Sequence, residues 1–299
     1  MGSELFFTVV VPTYNRGHLI KRTLESLLAQ TWPFFEIIVV DDGSTDDTAA
    51  VVNDLGSTQV SYYRIKNSER AAARNYGALH AKGNYINFFD SDDLALPNHL
   101  SEAAKMVSQY GEPAWFHLGF ALVTPEGRVL KQVNTYQGNT LQAYIPKGNP
   151  LSCNGVFLRS DIIQKFAFNE DRALSASEDY ELWYRLAARY PLFYTNTITS
   201  WIVDHEHRSV RKMDMRKLID RLHLLLFYLK QDDVVQEVFK KDIYITKAGI
   251  YAYLALHLSE HNFSKKTSFK YLLVGLSIST NTIMQRTFYA TLRNLILRW

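Results

Sequence analysis

Two clusters of aspartates have the residue types and the spacing of a cation or phosphate site. The first is Asp41-Asp42, and the second is the run 90–93, Asp-Ser-Asp-Asp. Three carboxylates in four residues repel one another unless a cation or a basic side chain lies among them. Mg²⁺ and Mn²⁺ usually bind one or two carboxylates together with phosphate oxygens. The pattern therefore predicts a metal beside a phosphorylated ligand, with turn and N-cap roles as the alternative.

A further acidic pair, Glu178-Asp179, comes just before a helix predicted from the spacing of Leu182, Leu186 and Tyr190. A helix N-terminus keeps a carboxylate ionised, which a general base requires. Asp179 is therefore a candidate base, and a structural N-cap is the alternative reading of the same position.

Two histidines lie in the polar segment 204–208, Asp-His-Glu-His-Arg. Residues two apart on an extended segment face the same side, so His205 and His207 could approach a metal together. The alternative is a pair of surface histidines in a polar loop. Neither a GxGxxG motif nor a Walker-type GxxxxGK[ST] motif is present in the sequence, so no dinucleotide or P-loop site is indicated.

The elements that must position these side chains alternate between strands and helices. Apolar runs predict strands at 5–11, 36–40, 60–65 and 85–89, with helices between them and a further helix at 97–111. This alternation predicts an α/β fold with a mostly parallel sheet flanked by helices. Ligands bind beyond the carboxyl ends of such strands, where both aspartate clusters fall.

Charge and chain-breaking residues divide the sequence near residue 205. Residues 1–205 carry a formal charge of −5 and residues 206–299 a charge of +8, within a total of +3. All eight prolines lie at or before Pro191, and only Gly249 and Gly275 follow it. We therefore predict an acidic α/β domain at 1–205 and a basic α-helical region at 206–299.

Composition and the single cysteine limit the class of protein. A hydrophobic fraction of 47% and a charged fraction of 21% exclude a disordered or fibrous chain. Cys153 alone cannot form an internal disulfide, which favours a reducing compartment. No run is long and apolar enough for a membrane span, and the N-terminus does not have the pattern of a signal peptide. A cytoplasmic protein, or one on the cytosolic face of a membrane, is expected.

Four segments together resemble family 2 glycosyltransferases with the GT-A fold. They are 9–15 (Val-Val-Val-Pro-Thr-Tyr-Asn), 39–44 (Val-Val-Asp-Asp-Gly-Ser), 73–75 (Ala-Arg-Asn) and 89–93 (Phe-Asp-Ser-Asp-Asp). Glu178-Asp179 extends the resemblance to about residue 205. It implies a Rossmann-like catalytic domain at 1–205, with 1–110 binding the nucleotide sugar and 111–205 the acceptor, followed by the C-terminal helical extension.

The resemblance also implies roles for single residues. Asp42, with Asp41, would hold the base and ribose, one carboxylate accepting a uracil N–H. Asp90 and Asp92 would form the DXD element that holds the metal, with Asp92 as the direct ligand and Asp90 nearer the ribose. Asp179 would be the catalytic base. The nucleotide-sugar site as a whole would comprise Pro12, Thr13, Tyr14, Asn15, Asp41, Asp42, Arg74, Asp90 and Ser91.

Further positions are assigned by the resemblance with alternatives left open. Arg74 would lie near the diphosphate or brace the aspartate pair, unless it forms only a surface salt bridge. His207 is the candidate for an additional metal ligand, and Glu178 and Trp183 would orient the acceptor or its loop. Asp93 is expected to be an N-cap of the helix that Pro97 opens.

The function implied is an inverting, Mn²⁺- or Mg²⁺-dependent glycosyltransferase of the hexosyltransferase type, active in polysaccharide biosynthesis. It would move a sugar from a nucleotide-diphosphate donor, with UDP expected, to a hydroxyl of a glycan or lipid-linked saccharide. The alternatives are a sugar-1-phosphate nucleotidyltransferase, and a non-catalytic subunit that binds nucleotide sugars.

The basic region suggests a surface partner. The stripe Met284, Phe288, Leu292, Leu295 and Trp299 makes the last predicted helix amphipathic, and arginines flank it. Such a helix can lie peripherally on an anionic membrane, or it can pack on the catalytic domain or in a homodimer. No nucleic-acid reader motif accompanies the charge, so nucleic acid is not an expected partner.

Overall fold

The computed structural model describes residues 4–133, 142–206, 214–261, 263–280 and 286–297. The chain forms two compact units. The first comprises Met1–Gln142, Leu151–Leu182 and Tyr190–Arg208, and the second comprises Ala143–Pro150, Trp183–Arg189 and Ser209–Trp299. The functional boundary expected at residue 205 stays a prediction.

The first unit opens with four parallel strands in the spatial order β3-β2-β1-β4. The strands are β1 (Phe7–Thr13), β2 (Phe35–Asp41), β3 (Val60–Arg64) and β4 (Tyr85–Phe88). The helices that connect them are α1 (Gly17–Leu28), α2 (Thr48–Asn53) and α3 (Glu69–His80). The β1, β2 and β4 strands are buried throughout or nearly so, which explains their continuous apolar runs.

The sheet becomes mixed in its second half, where β4 pairs with an antiparallel neighbour. The elements there are β5 (Leu94–Ala95), α4 (His99–Tyr110), β6 (Trp115–Val123), β7 (Val129–Val133), β8 (Val156–Arg159), α5 (Ser160–Lys165), α6 (Glu178–Ala187) and β9 (Phe193–Val203). The full order is β3-β2-β1-β4-β8-β6-β9-β5, with β7 on β6. The predicted α/β fold is confirmed. The antiparallel pairing of β8 brings the segment before it next to the end of β4.

A close approach between α3 and the sheet places Arg74. Gly77 lies one turn after Arg74, and a Cβ on it would meet Val10 Cγ1 at 2.3 Å. Only glycine allows this separation, so α3 lies directly against β1 and β2. Arg74 is consequently held, 2% exposed, beneath the carboxyl ends of the strands.

The second unit is helical. Its helices are α7 (Met215–Gln231), α8 (Asp233–Val238), α9 (Ile243–Glu260), α10 (Lys265–Ile278) and α11 (Arg286–Leu297), together with the end of α6. Tyr184 hydrogen-bonds Thr246 within this unit, and Arg189 pairs with Asp232 at 2.9 Å. None of the helices among the described residues has the length and apolar character needed to cross a membrane.

The apolar stripe predicted for the last helix is partly used in packing. Leu295 and Asn294 of α11 are buried, and Asn294 Nδ2 donates to Ser259 Oγ at 3.2 Å. Ile296 and Leu297 are exposed instead. Met284 and Trp299 lie outside the described residues. The exposed apolar residues Ile296 and Leu297 therefore do not belong to the predicted stripe.

Candidate active site

The second aspartate cluster follows β4 directly, and a histidine from the end of β9 meets it. His205 Nε2 lies 3.1 Å from Asp92 Oδ2, and Arg16 Nε lies 3.7 Å from the same oxygen. The His205 side chain is 11% exposed and the Asp92 side chain 20%. Among the described residues, His205 Nδ1 has no hydrogen-bond partner. A carboxylate and an imidazole thus share one partly enclosed place at the strand ends.

Arg74 joins this cluster to the acidic pair at the start of α6. Its Nη2 donates to Asp90 Oδ1 at 3.0 Å, and its Nη1 donates to Glu178 Oε1 at 2.7 Å. The Arg74 and Glu178 side chains are each 3% exposed, whereas that of Asp90 is 40% exposed. Arg74 is therefore a buried bridge between two carboxylates 88 positions apart in the sequence, rather than a surface salt bridge.

The charge of Arg74 is maintained despite its burial. Burial acts to lower the pKa of Arg74, but the nearby Cys153 thiol and the carboxylates of Asp90, Glu178 and Asp179 raise that pKa above its ordinary value. Burial in turn raises the pKa of the Cys153 thiol well above its usual range. The guanidinium is therefore a fixed positive charge between the acidic residues.

Asp93 belongs to a buried network and is not a helix cap. Its Oδ1 accepts from Val203 N at 2.9 Å, and its Oδ2 accepts from Asn154 Nδ2 at 2.7 Å. Asn154 Oδ1 accepts in turn from Asp90 N at 2.9 Å. The N-cap of α4 is Asn98, so the expected capping role of Asp93 is wrong. Burial, reinforced by the carboxylates of Asp92 and Asp90, raises the pKa of Asp93 well above its ordinary value.

The network fixes the position of His205. Asp93 holds the backbone of Val203, the last residue of β9, two residues before His205. The same carboxylate, through Asn154, holds the backbone of Asp90. Both segments that meet at Asp92 are thus attached to one buried group.

The first aspartate pair shapes the loops around the ends of β1 and β2. Asp42 Oδ1 accepts from Ser68 N at 2.6 Å and its Oδ2 from Glu69 N at 2.9 Å, so Asp42 satisfies the free N–H groups that begin α3. Asp41 Oδ1 accepts from Ser44 N at 2.7 Å, and Tyr62 donates its hydroxyl to Oδ2. Burial raises the pKa of Asp42, although the two backbone donors act to lower it.

The turn after β1 is held against the same loop. Asn15 N donates to Ser44 Oγ at 2.8 Å, and Asn15 Oδ1 accepts from Thr45 N at 2.8 Å. Pro12 and Thr13 are buried at the end of β1, whereas Tyr14 is 47% exposed. Among the described residues, the buried Thr13 Oγ1 has no hydrogen-bond partner.

Three non-glycine residues with positive φ surround this region. They are Asn15 at 51°, Glu69 at 73° and Ala176 at 71°. Such conformations cost energy and persist where the surrounding contacts enforce them, often at functional sites. Ala176 lies two residues before Glu178, so this strained turn sets the entry into α6.

The acidic pair occupies the first turn of α6. Asp179 is half-buried and Tyr180 N donates to its Oδ1 at 2.7 Å. Glu178 is 2% exposed, and its Oε2 has no hydrogen-bond partner within the described part of the chain. Trp183, in the same helix, is fully buried. Of the pair, Asp179 is thus the carboxylate with access to solvent.

Sequence patterns alone missed several residues of this site. They are Arg16, Tyr62 and Asn154, whereas His205, which the sequence did mark as a possible metal neighbour, lies beside Asp92. His207 lies outside the described residues. The hydrogen bond from Val203 N to Asp93 holds the end of β9, and His205 follows it by two residues at Asp92.

The donor set fits a hard or borderline divalent ion. Asp92 and His205 offer a carboxylate and an imidazole in contact, and Asp90, two residues before Asp92, would add a further carboxylate. Oxygen ligands suit Mg²⁺ and Mn²⁺, and an added imidazole shifts the preference towards a transition metal. That a metal ion binds here, and which ion it is, stays a prediction.

Comparison with known proteins defines the class. Residues 8–116 match the family model described as Glycosyl transferase family 2. A Rickettsia bellii protein described as an uncharacterized glycosyltransferase is 31% identical over 185 residues, which is 61% of this chain and 26% of that protein. The glycosyltransferase GlyG of Streptococcus pneumoniae is 39% identical over 111 residues, 36% of each chain. Residues 8–116 therefore match glycosyl transferase family 2, and the resemblance seen in the motifs is confirmed.

Solved structures give the same fold. Residues 1–349 of Staphylococcus aureus TarS superpose with a TM-score of 0.68 at 18% identity, covering 97% of this chain and 88% of that one. The mannosyltransferase PcManGT of Pyrobaculum calidifontis, in complex with GDP-Man and Mn²⁺, gives a TM-score of 0.60 at 18% identity, covering 98% and 88%. The chain has the GT-A-like fold of these enzymes. This chain spans between 26% and 57% of the length of the first four curated relatives it matches.

Proposed function

We propose that the protein is an inverting, metal-dependent glycosyltransferase that uses a nucleotide-diphosphate sugar, with UDP as the expected nucleotide. The observation that carries the proposal is the Arg74 bridge, which joins Asp90 of the second aspartate cluster to Glu178, the neighbour of Asp179. Single-displacement transfer needs two components, a site for the metal and diphosphate and a carboxylate base. The buried Arg74 guanidinium contacts Asp90 of the first candidate site and Glu178 beside the candidate base.

Asp179 is the proposed base. It would accept the proton of the acceptor hydroxyl as that oxygen attacks the anomeric carbon from the side opposite the nucleotide. Its place in the first turn of α6 supports the ionised form, because the helix N-terminus favours negative charge. Glu178 cannot easily share this role, since it is buried and paired with Arg74.

Asp92, His205 and Asp90 are the proposed metal site. A divalent ion there would neutralise the negative charge that develops on the departing nucleoside diphosphate. The chain's own contribution is to hold these ligands in place, through Arg74 on Asp90 and through the Asp93 network on His205. The Mn²⁺ in the PcManGT complex supports this choice of ion.

Asp41, Asp42 and the turn Pro12, Thr13, Tyr14 and Asn15 are the proposed nucleotide site, with Ser91 beside it. Both aspartates already accept hydrogen bonds from the chain. Each carboxylate oxygen has two acceptor positions. Asp42 Oδ2 accepts from both Glu69 N and Asn67 Nδ2, so the capacity that remains on Asp42 for a ring N–H or a ribose hydroxyl is at Oδ1. The TarS structures with UDP-GlcNAc and UDP support a uridine nucleotide.

The acceptor is proposed to be a glycan or lipid-linked saccharide, bound by residues from 111–205. A peripheral position on the cytosolic face of an anionic membrane, through 206–299, would bring the site to such an acceptor. The +8 charge of 206–299 and the exposed Ile296 and Leu297 support this placement.

The metal requirement is tested by binding. UDP affinity should be measured by calorimetry with Mn²⁺ and with EDTA, in the unmutated protein and in Asp92→Ala. We expect Mn²⁺ to tighten UDP binding at least about tenfold in the unmutated protein and to have no effect in the variant. A Leu79→Ala variant, altered at an exposed position of α3, is the control. Equal UDP affinity with and without metal in the unmutated protein would overturn the proposal.

A further inference from the structure

A second cluster of metal-ligating side chains lies in the helical unit, outside the proposed catalytic site. His257, Glu260 and His261 occupy the last turn of α9 and its C-cap. One nitrogen of each imidazole and one carboxylate oxygen lie within 4.8 Å of one another. Residues three and four apart on a helix share one face, so the helix itself sets this spacing.

We propose that His257, Glu260 and His261 form a binding site for a divalent transition-metal ion of the zinc class. Two imidazoles and a carboxylate are a ligand set that Zn²⁺ uses in three-ligand sites, with water in the fourth position. Tetrahedral Zn²⁺ holds its ligand atoms about 3.4 Å apart, given metal–ligand distances of about 2.1 Å. The present separations of up to 4.8 Å exceed that value by at most about 1.4 Å.

The surroundings prepare the histidines for this role. His261 Nδ1 lies 3.0 Å from the carbonyl oxygen of His257, so it donates there and leaves Nε2 as the free acceptor. Tyr253, one turn earlier, packs against the His257 ring with a centroid distance of 4.2 Å. Such contacts hold the imidazole rings in a fixed orientation, as metal binding requires.

The position along the helix also favours a cation. The carbonyl groups at the C-terminal end of a helix carry partial negative charge, which stabilises a positive ion nearby. Glu260 Oε2 already lies 3.2 Å from His257 Nδ1, so one carboxylate and one imidazole are in contact. Imidazole ligands favour Zn²⁺, Ni²⁺ and Cu²⁺ over Mn²⁺, which distinguishes this site from the proposed catalytic one.

The proposal is tested by Zn²⁺ binding to the whole chain. Zn²⁺ should be titrated against a chromophoric chelator in the unmutated protein, His261→Ala, Glu260→Gln and the control His223→Ala. His223 is an exposed histidine of α7 in the same unit. Because His261 and Glu260 are exposed, neither substitution should affect folding, which circular dichroism in EDTA checks.

We expect the unmutated protein and His223→Ala to bind one more Zn²⁺ than His261→Ala, whose affinity at this site falls at least about tenfold. Glu260→Gln should weaken the same site. Zn²⁺ should raise the melting temperature of the unmutated protein by more than that of His261→Ala, whereas Mn²⁺ should not distinguish them. Equal Zn²⁺ stoichiometry and affinity in the unmutated protein and His261→Ala would overturn the proposal, whatever the outcome at the catalytic site.

Discussion

Arg74 is the residue on which the candidate active site depends most directly. It is buried, charged and in contact with carboxylates from two different parts of the chain. Removing one partner of such a group leaves an uncompensated buried charge, which is far more costly than losing a surface pair. The bridge therefore fixes Glu178, and with it the start of α6, relative to the aspartates after β4.

Asp179→Asn separates chemistry from binding at the residue scale. The amide retains the shape of the carboxylate but cannot accept a proton, so turnover should fall by roughly 10²–10⁴-fold. The donor affinity should stay nearly unchanged, because the proposed donor ligands lie elsewhere. Steady-state kinetics together with donor calorimetry provide the measurement. A variant that loses donor affinity as severely as turnover would show that Asp179 has another role.

At the scale of elements, the loop after β4 and the end of β9 are joined through Asp93 and Asn154. The hydrogen bonds of this pair permit a reciprocal exchange. Consider the double variant Asp93→Asn with Asn154→Asp. The new amide at position 93 can accept from Val203 N through its oxygen and donate through its nitrogen to the new carboxylate at position 154. That carboxylate can still accept from Asp90 N. The double variant therefore retains every hydrogen bond of the network. In Asp93→Asn alone, the amide NH₂ groups of residues 93 and 154 face each other, and the hydrogen bond between them is lost.

The exchange predicts a specific pattern of metal dependence. Asp93→Asn should raise the half-saturating Mn²⁺ concentration about 10–100-fold, as loss of a group that orients ligands does. The double variant should recover most of this loss. Affinity for UDP in EDTA should be equal in all three proteins. If the double variant is as impaired as the single one, the pair does not act by orienting the metal ligands.

The buried imidazole of His117, in β6, makes the stability of the fold depend on pH in the acidic range. The imidazole is 1% exposed, and burial, with a smaller effect of His99, lowers its pKa from 6.5 to about 3. Below pH 6.5 the unfolded chain binds a proton that the folded chain does not, so stability is lost as the pH falls towards 3.

The contribution of His117 can be measured by denaturation. It should account for about 2 kcal/mol of the free energy of unfolding lost between pH 7 and pH 5. His117→Gln cannot titrate, so its loss over this interval should be smaller by that amount, whereas His223→Gln, at an exposed position, is the control. Parallel pH profiles of the unmutated protein and His117→Gln would contradict the assignment.

The strand ends and their acidic residues could be predicted from the sequence, because both follow from short stretches of neighbouring residues. Asp41, Asp42, Asp90 and Asp92 follow apolar runs directly, and parallel strands bring such positions to one edge. The partners of these residues could not be predicted, because they come from distant segments. Glu178 lies 104 positions from Arg74, and Asn154 has no local pattern that marks it. Strand pairing alone brings Asn154 to Asp93.

At the scale of the whole molecule, the distribution of charge predicts where the protein is located in the cell. Each basic residue near an anionic surface contributes about 1 kcal/mol at best, so several are needed for reversible attachment. We expect the protein to sediment with anionic vesicles at low salt and to be released as the salt concentration rises. Ile296→Glu with Leu297→Glu should reduce sedimentation.

The matched control for the vesicle assay is Leu79→Glu with Leu130→Glu, which places the same two negative charges at exposed leucines of the first unit. It should sediment as the unmutated protein does. If the unmutated protein stays in the supernatant at low salt, the basic helices do not bind membrane. Their charge and exposed apolar residues would then point to packing in a homodimer.

The most direct test of the proposed function is the anomeric configuration of the sugar first released from its donor. A donor chosen by thermal shift from a panel of nucleotide sugars should be hydrolysed slowly in Mn²⁺ and followed by proton NMR before mutarotation. From an α-linked donor we predict that the β-anomer is released first together with the nucleoside diphosphate, and that release stops in EDTA and falls sharply in Asp179→Asn. First release of the α-anomer, unchanged release in EDTA, or formation of pyrophosphate in place of nucleoside diphosphate would contradict inverting, metal-dependent glycosyl transfer.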